Sequence, residues 1–279
     1  MVKADLHIHS NCSDGSESVK ELLEKIKISD VEIFALTDHD TVEGCKEAEK
    51  YTKKFIRGIE LTCQAENIKC HILGYGCDIY NENLAKLIKK GKQLRRLKLE
   101  TRIKYLKEKW NIELTKEELD WLYSRKSVVK THFANILVNR NLSPDPVSAM
   151  KKYLDDCKVP NTRFEIKEAI DTLISAGAIP VWAHPLGGEG EEHFTEQKFL
   201  PKLEIMKSYG IKGLECYYSR YNAQEEKFLL ECANKNNLLI SGGSDYHGTN
   251  KKNISLAKLN TENKPINSDL LTILKFLDI

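Results

Sequence analysis

Eight histidines punctuate the chain, at positions 7, 9, 39, 71, 132, 184, 193 and 247. Several stand beside Asp or Glu where an apolar run meets a turn. His7 and His9 are two apart in the alternating segment VKADLHIHS, so as strand residues they share a face. Asp38, His39 and Asp40 close VEIFALTDHD. Glu60 lies in FIRGIELTCQ, His71 in IKCHILGYG, His184 in AIPVWAHPLGG, Glu215 in GIKGLECYYS, and Asp245 and His247 in LLISGGSDYHG. Imidazoles and carboxylates converging on one face make a transition-metal site. Without cations such groups repel one another or go unpaired, whereas bound cations pair the carboxylates and take up neutral imidazole. Each fragment also has an ordinary reading. His-x-His can be two satisfied strand histidines, Asp14 in Ser-Asp-Gly a turn residue, Thr37–Asp40 a helix cap, and Glu60 a partner of Arg57. All of these must hold together to dispose of the metal site, so the set as a whole favours metal.

The elements that must gather these residues follow an alternating rhythm. Strand patterns at VKADLHI, VEIFAL, the pair FIRGIELTCQ and IKCHILGYG, AIPVWA, GIKGLECYYS and LLISGG are separated by helical segments at about 17–28, 43–54, 166–177, 195–210 and 223–237. The pair around AEN predicts a hairpin, and Gly177 closes the helix IKEAIDTLISAG. Strands alternating with helices imply an α/β fold with a mostly parallel sheet or barrel. In a parallel barrel the C-terminal strand ends share the face where active sites are built, and the histidines and acids fall at or near those ends. Between 82 and 160 no strand pattern occurs. NLAKLIKKGKQLRRLKLETRIKYLKEKW, TKEELDWLYS, VVKTHFANILVNR and VSAMKKYLDD read as an all-helical insertion. The sheet or barrel portion therefore comprises 1–81 and 161–279, with 82–160 expected to cover the active site as a lid.

Composition narrows the classes. With 279 residues, 41% hydrophobic and 30% charged, the chain has material for a real core and is no disordered segment. Its 43 Lys and Arg against 41 Asp and Glu leave a net charge of +2, which does not mark a binder of long nucleic acid. No apolar run approaches a membrane span and MVKADLHIHS lacks a signal-peptide core, so a cytoplasmic location without a membrane is expected. The eight cysteines include no Cys-x-x-Cys pair and read as reduced, mostly buried thiols. Structural zinc on Cys63, Cys70 and Cys77 is the lesser reading, given their wide spacing.

The motifs DLHIHSNCSDGS, ALTDHDT, GIELTC, HILGYG, WAHPLGG, GLECYYS and SGGSDYHG run in order over almost the whole chain. In them the sequence resembles the PHP (polymerase and histidinol phosphatase) superfamily of metal-dependent phosphoesterases. Within it the sequence is similar to the TrpH-like group that includes RNase AM-type enzymes. The resemblance implies a distorted seven-stranded (β/α) barrel with a helical insertion and a trinuclear metal site. It implies that His7, His9, Glu60 and Asp245 hold one ion. Glu60 would bridge to a second ion, bound also by His71 and His184, and Asp14, His39 and His247 would hold the third. Some members have a His where this chain has Asp14, and an Asp keeps oxygen ligation there. That favours Mn²⁺ or Fe²⁺, with Zn²⁺ possible.

Such a site implies a metal-bridging hydroxide attacking phosphorus while cations stabilise the attacking and leaving oxygens. Asp40, next to the ligand His39, is the candidate for steering water or donating a proton, or else it supports that ligand. Asp5, on the face of His7 and His9, is expected to support rather than ligate. In the insertion, Arg95 and Arg96 are candidates for gripping phosphate, because the guanidinium fork matches phosphate geometry. Lys130 and His132 in VVKTHFANIL resemble a family Arg/Lys-x-His element and are expected to contact phosphate or leaving group. His193, in GGEGEEH, is expected to be exposed. The resemblance implies hydrolysis of a phosphorylated small molecule, such as a nucleoside 3′,5′-bisphosphate or monophosphate, or 5′→3′ trimming of a short single-stranded oligonucleotide. No obligate protein partner is evident. The alternatives are a histidinol-phosphate phosphatase and a non-catalytic, metal-stabilised PHP module.

Overall fold

In the computed structural model, which describes residues 2–125, 128–188, 191–251, 253–259 and 264–277, the chain divides into two compact units. One comprises Met1–Ile88 and Arg163–Ile279, the other Lys89–Thr162.

In the first unit, the alternating opening segment forms β1 (Lys3–Ile8), followed by α1 (Val19–Ile28), β2 (Val31–Leu36) and α2 (Glu43–Ala48). A capping box between Ser18 and Glu21 starts α1, which buries Val19, Leu22 and Ile26. The helix α2 is shorter than the expected 43–54. The chain turns away after Ala48 so that Phe55 can reach Phe34, its ring centroid 6.2 Å away, and lead into the next strand. That strand, β3 (Ile56–Ala65), pairs antiparallel with β4 (Ile68–Tyr75) in the expected hairpin, Ala65 opposite Ile68. The later elements are β5 (Phe164–Glu165), α7 (Ile166–Ser175), β6 (Ile179–Ala183), α8 (Glu196–Tyr209), β7 (Gly213–Tyr218), α9 (Ala223–Lys235) and β8 (Leu239–Gly243). Between β4 and β5 the chain forms α3 (Glu82–Trp110), α4 (Lys116–Ser124), α5 (Lys130–Asn139) and α6 (Pro146–Tyr153). Gly177, at φ +71°, closes α7 as expected.

The main sheet runs β1-β2-β3-β4-β6-β7-β8, with β5 added to β3. Pairing is parallel for β1–β2, β2–β3, β6–β7 and β7–β8, and antiparallel where β4 joins β3 and β6. Beyond β8 the chain returns to β1. His9 N donates to Tyr246 O at 2.9 Å, Tyr246 N donates to His7 O at 3.3 Å, and Ile8 bridges Tyr246 in parallel. The path is thus a nearly closed, distorted seven-stranded barrel. Gly243 permits the closure, because a Cβ there would lie 2.3 Å from His7 Cβ. Outside the sheet, α7 buries Ile166, Ile170 and Leu173 completely, about 1.5–3 kcal/mol for each aliphatic side chain. Ala4, Leu6, Leu73 and Val181 pack with Leu259, Ile266, Leu271 and Ile273 of the C-terminal segment, for which the sequence patterns above predicted no element.

The second unit is helical. The long α3 (Glu82–Trp110) runs into it from the first unit, and α4 (Lys116–Ser124), α5 (Lys130–Asn139) and α6 (Pro146–Tyr153) complete it. Its own core gathers Leu99, Leu106, Leu122, Phe133, Leu137 and Leu154. Thr115 and Glu118 form a capping box at α4, and Asp145 caps α6 with Pro146 in its first turn.

Barrel closure also rests on a fully buried carboxylate. Asp5 accepts from Ser244 N at 2.9 Å, Ser244 Oγ at 2.6 Å, Ala257 N at 2.7 Å and His7 N at 3.3 Å. It ties β1 to the segment after β8. Asp5→Ala strands these donors in a dry interior, each orphan costing about 1–3 kcal/mol. The variant is expected to lose roughly 3 kcal/mol or more, read as a lowered denaturation midpoint in urea.

Candidate metal centre

The site is assembled at the ends of β1, β2, β6 and β8 and from mid-strand positions of β3 and β4. His7 is the penultimate residue of β1 and His9 follows the strand; His39 follows β2, His184 follows β6, and Asp245 and His247 follow β8. Glu60 and His71 depart from the expected strand-end positions. Glu60 is the fifth residue of β3, and His71 lies in the first half of β4. Because β4 is antiparallel to both neighbours, its early residues reach the face that parallel strands reach with their ends. His71 sits opposite Thr62 and Ala183.

Glu60 lies at the centre, fully buried. Its Oε2 is 3.2 Å from His7 Nε2, 3.2 Å from His9 Nε2 and 3.1 Å from His39 Nδ1. Its Oε1 is 3.1 Å from both His71 Nδ1 and His184 Nε2. Asp245 Oδ1 lies 3.6 Å from His7 Nε2 and 3.4 Å from His9 Nε2. Asp14, on the loop after β1, faces His247 Nε2 at 3.1 Å, His9 Nδ1 at 3.7 Å and His39 Nε2 at 3.8 Å. The nine expected ligand residues therefore converge. His39 faces two ways, one ring nitrogen to Glu60 and the other to Asp14.

Buried polar atoms normally find partners. Here His7 Nε2, both nitrogens of His9, His39 Nδ1, Glu60 Oε2, His71 Nδ1, His184 Nδ1 and His247 Nε2 are buried without a hydrogen-bond partner. Donor atoms bound at about 2.0–2.2 Å to one ion stand roughly 2.8–3.6 Å apart between right-angled and tetrahedral geometry, and the five separations around Glu60, 3.1–3.2 Å, fall in that range. Donor atoms within 4.8 Å of one another form four overlapping groups: His9–Asp14–His39–His247, His7–His9–Glu60, His39–Glu60–His71 and His71–His184–Glu191. The residues thus fit divalent cations, and imidazole with carboxylate and no thiolate is the donor set of Mn²⁺, Fe²⁺ or Zn²⁺.

Buried carboxylates and backbone groups orient the ligands. Glu215 Oε1 is 2.8 Å from His7 Nδ1, which leaves the Nε2 lone pair facing Glu60. Its Oε2 accepts from His184 N at 2.7 Å and holds that residue at φ +29°. His247 Nδ1 is 2.9 Å from Asp245 O, which turns Nε2 to Asp14. Asp38 accepts from Ser10 N at 2.8 Å, Ser10 Oγ at 2.7 Å and Ser13 Oγ at 2.7 Å, fixing the loop that carries Asp14. Asp40 accepts from Thr62 N at 2.8 Å and pins the loop after β2 to β3.

Three contributors were not anticipated. Glu191 Oε2 is 3.0 Å from His184 Nδ1 and accepts from Gly188 N at 2.9 Å. Lys251 Nζ contacts Asp245 Oδ2, to which Tyr218 OH donates at 2.9 Å. Glu191 lies in the loop GGEGEEH, where acids cluster without a pattern, and Lys251 lies beyond the last motif. By contrast His193 is exposed and pairs with Glu225 at 2.7 Å, and Arg57 pairs with Glu49 at 2.7 Å rather than with Glu60. A cavity of about 230 Å³ opens onto the cluster, with Asp14, His71, Glu191 and Lys251 in its walls. A larger cavity of about 590 Å³ shares His184 and Glu191 and is walled by Lys69, Arg163, Trp182 and Phe194.

The remaining candidates belong to the second unit. Arg96 pairs with Glu100 at 2.7 Å and stacks 3.6 Å over the Tyr123 ring. Arg95 is half-buried. Lys130 pairs with Asp155 at 2.7 Å. His132 Nδ1 accepts from Val129 N at 3.1 Å at the start of α5, and its ring meets Trp121 edge-on.

This fold and cluster define a class, and sequence comparison agrees. The PHP domain profile matches residues 5–178; the chain belongs to the PHP family of phosphoesterases. It is 31% identical over 253 residues to a 5′-3′ exoribonuclease of Haemophilus influenzae, covering 88% of this chain and 90% of the relative. It is 26% identical over 255 residues to a 3′,5′-nucleoside bisphosphate phosphatase of Chromobacterium violaceum, covering 88% of each. A solved structure from Bifidobacterium adolescentis, described as a metal-dependent phosphoesterase, superposes with a TM-score of 0.75. The two are 23% identical, the match covers 100% of this chain and 98% of that one, and it establishes the shared fold. Among the described residues no helix is long and apolar enough to cross a membrane.

Two outcomes follow from this arrangement. Burial favours neutral imidazole at His9 and His184, but the surrounding carboxylates win and raise their pKa values to about 9 and about 10. In the metal-free protein a proton therefore occupies atoms a cation needs, up to a higher pH than for free histidine. Metal affinity should rise as pH increases from 6 to 9, with proton release, checked by calorimetric metal titration in buffers of different ionisation enthalpy. Glu215→Gln removes the charge that orients His7. It should weaken metal binding about 10–100-fold, read by competition with a chelator.

Proposed function

We propose that this PHP phosphoesterase hydrolyses phosphate esters of nucleotides, a nucleoside 3′,5′-bisphosphate or monophosphate, or trims short single-stranded oligonucleotides from the 5′ end. The observation that carries the reading is the convergence of nine imidazole and carboxylate side chains, seven of which (His7, His9, His39, Glu60, His71, His184 and His247) have a buried donor atom without a hydrogen-bond partner. The relatives named above support the nucleotide and RNA substrates.

The proposed site takes three divalent ions, with Mn²⁺ or Fe²⁺ favoured over Zn²⁺ by the oxygen donors. His7, His9, Glu60 and Asp245 serve one ion, Glu60, His71 and His184 the second, and Asp14, His39 and His247 the third. Glu191 adds a carboxylate beside the second. When bound, such ions supply Lewis acidity that activates water near neutral pH and neutralises charge on phosphate oxygens. The chain's own residues do the rest. Glu215 and Asp38 hold ligands and loops against movement, so the donors need not reorganise during reaction. Asp40 keeps His39 in place through the loop it pins to β3. The 590 Å³ cavity lies within the range of small-molecule sites and suits a nucleotide or the end of an oligonucleotide.

Arg95, Arg96, Lys130 and His132 are proposed as contacts to a substrate phosphate or leaving group from the helical insertion, taken as a lid, on the chemistry of their side chains. The eight free thiols suit a reducing cytoplasm. The complete donor set speaks against a purely structural PHP module.

The test is metal analysis followed by phosphate release with Mn²⁺ from AMP, a nucleoside 3′,5′-bisphosphate, histidinol phosphate and a short 5′-phosphorylated RNA. Release from a nucleotide or the RNA is expected, and His9→Ala or Asp245→Ala should abolish metal binding and turnover together. Turnover of histidinol phosphate alone would move the assignment to the alternative phosphatase. Absence of turnover on all four at full metal content would overturn catalysis.

A further inference from the structure

Lys251 lies outside every motif and outside the ligand set. It reaches the site because the segment after His247 is stitched down. Thr249 N donates to Ser16 Oγ at 2.9 Å, and Asn250 Nδ2 donates to Asp14 O at 2.8 Å. A 3₁₀ turn at Gly248–Asn250 then brings the next residue back over the end of β8. The side chain of Lys251 is 19% exposed and lines the 230 Å³ cavity together with Asp14, His71 and Glu191. Among the described residues lining that cavity it contributes the only ammonium or guanidinium.

Two roles are open to such a group. As a prop, it would steady Asp245 through Oδ2. But Tyr218 OH already donates to that oxygen, and a cation on a ligand carboxylate draws off negative charge that a metal needs. A largely buried ammonium also gives up hydration that one ion pair does not fully restore. An ammonium has three donors, and the contact with Asp245 uses one. The remaining two are available to a ligand in the cavity.

We propose that Lys251 grips a non-bridging oxygen of the phosphate being hydrolysed, acting as a fixed protein cation beside the metal ligands. The inference rests on the phosphoesterase reading of the site and adds a phosphate contact on the barrel itself, separate from those assigned to the helical insertion. Its geometry is set by Asp245, which holds a metal-facing oxygen on one side and orients the ammonium on the other.

The test uses the full-length, metal-loaded protein with Lys251→Met and Lys251→Arg. Metal content is measured per chain, and binding of inorganic phosphate is followed by calorimetry, independently of turnover. Lys251→Met should keep its metal and bind phosphate about 10–100-fold more weakly, the loss of one charge-assisted hydrogen bond. Lys251→Arg should recover most of that affinity, which a general loss of folding would not. Unchanged phosphate binding at full metal content overturns the proposal, and so does metal loss in Lys251→Met, which would make the residue a prop for Asp245. If the wild type binds phosphate and Lys251→Met does not, yet no ester is turned over, the hydrolase reading fails while the contact stands. If esters are turned over and Lys251→Met binds phosphate normally, the contact fails while the hydrolase reading stands.

Discussion

A carboxylate buried beyond the reach of water must be compensated, and Glu60 is the carboxylate around which the site is built. Five imidazole nitrogens stand 3.1–3.2 Å from its two oxygens. Burial alone would favour its neutral form, but His39, His7, His71 and His184 hold its pKa well below the usual carboxylate range. The compensation is incomplete as hydrogen bonding, since Glu60 Oε2 and most of the facing nitrogens lack aligned partners. A cluster that carries both charge and orphaned lone pairs is stable as a cation site and costly as anything else.

That constraint explains the surroundings. Three more buried carboxylates, Asp5, Asp38 and Glu215, each hold backbone donors or ligand histidines. Burial raises the pKa of Asp5 and of Asp38, and hydrogen bonds to their oxygens work in the opposite direction. Each spans two or more segments: Asp5 joins β1 to the chain after β8, Asp38 joins β2 to the Asp14 loop, and Glu215 joins β7 to β1 and β6. The barrel is thus closed by the same kind of group that it carries at its centre. Asp40, His184 and Asp245 have φ of +51°, +29° and +58°, a region unfavourable for residues with a side chain. Such strain costs about 1–3 kcal/mol per residue. At Asp40 and His184 a carboxylate–amide hydrogen bond anchors it in place.

The legible part of the fold was the part governed by local periodicity. The strand–helix rhythm, the β3–β4 hairpin and the helical segment between the two barrel portions follow from patterns of two and 3.6 residues. The end of α2 was not legible, because the chain leaves the helix to seat Phe55 against Phe34, a contact between distant residues. The C-terminal segment escaped for a similar reason. Its Ile266, Leu271 and Ile273 pack against strands without forming a long periodic element of their own.

In the site, the sequence by itself determined which residue types were available and which neighbours shared a face: His7 with His9, and a His or acid after β1, β2, β6 and β8. It also carried the family pattern that named nine ligands. The tertiary structure alone decided that His71 acts from the first half of β4, because an antiparallel strand reverses which end meets the site, and that Glu60 acts from mid-strand, because β3 runs on past its parallel pairing with β2 into the hairpin with β4. It decided that Glu215 orients His7 across 208 residues of chain, and that Glu191 and Lys251 stand in the cavity wall. Those last residues look like ordinary surface charges in the sequence. Their roles come from loop closure, a property of distances in space that residue spacing along the chain does not encode.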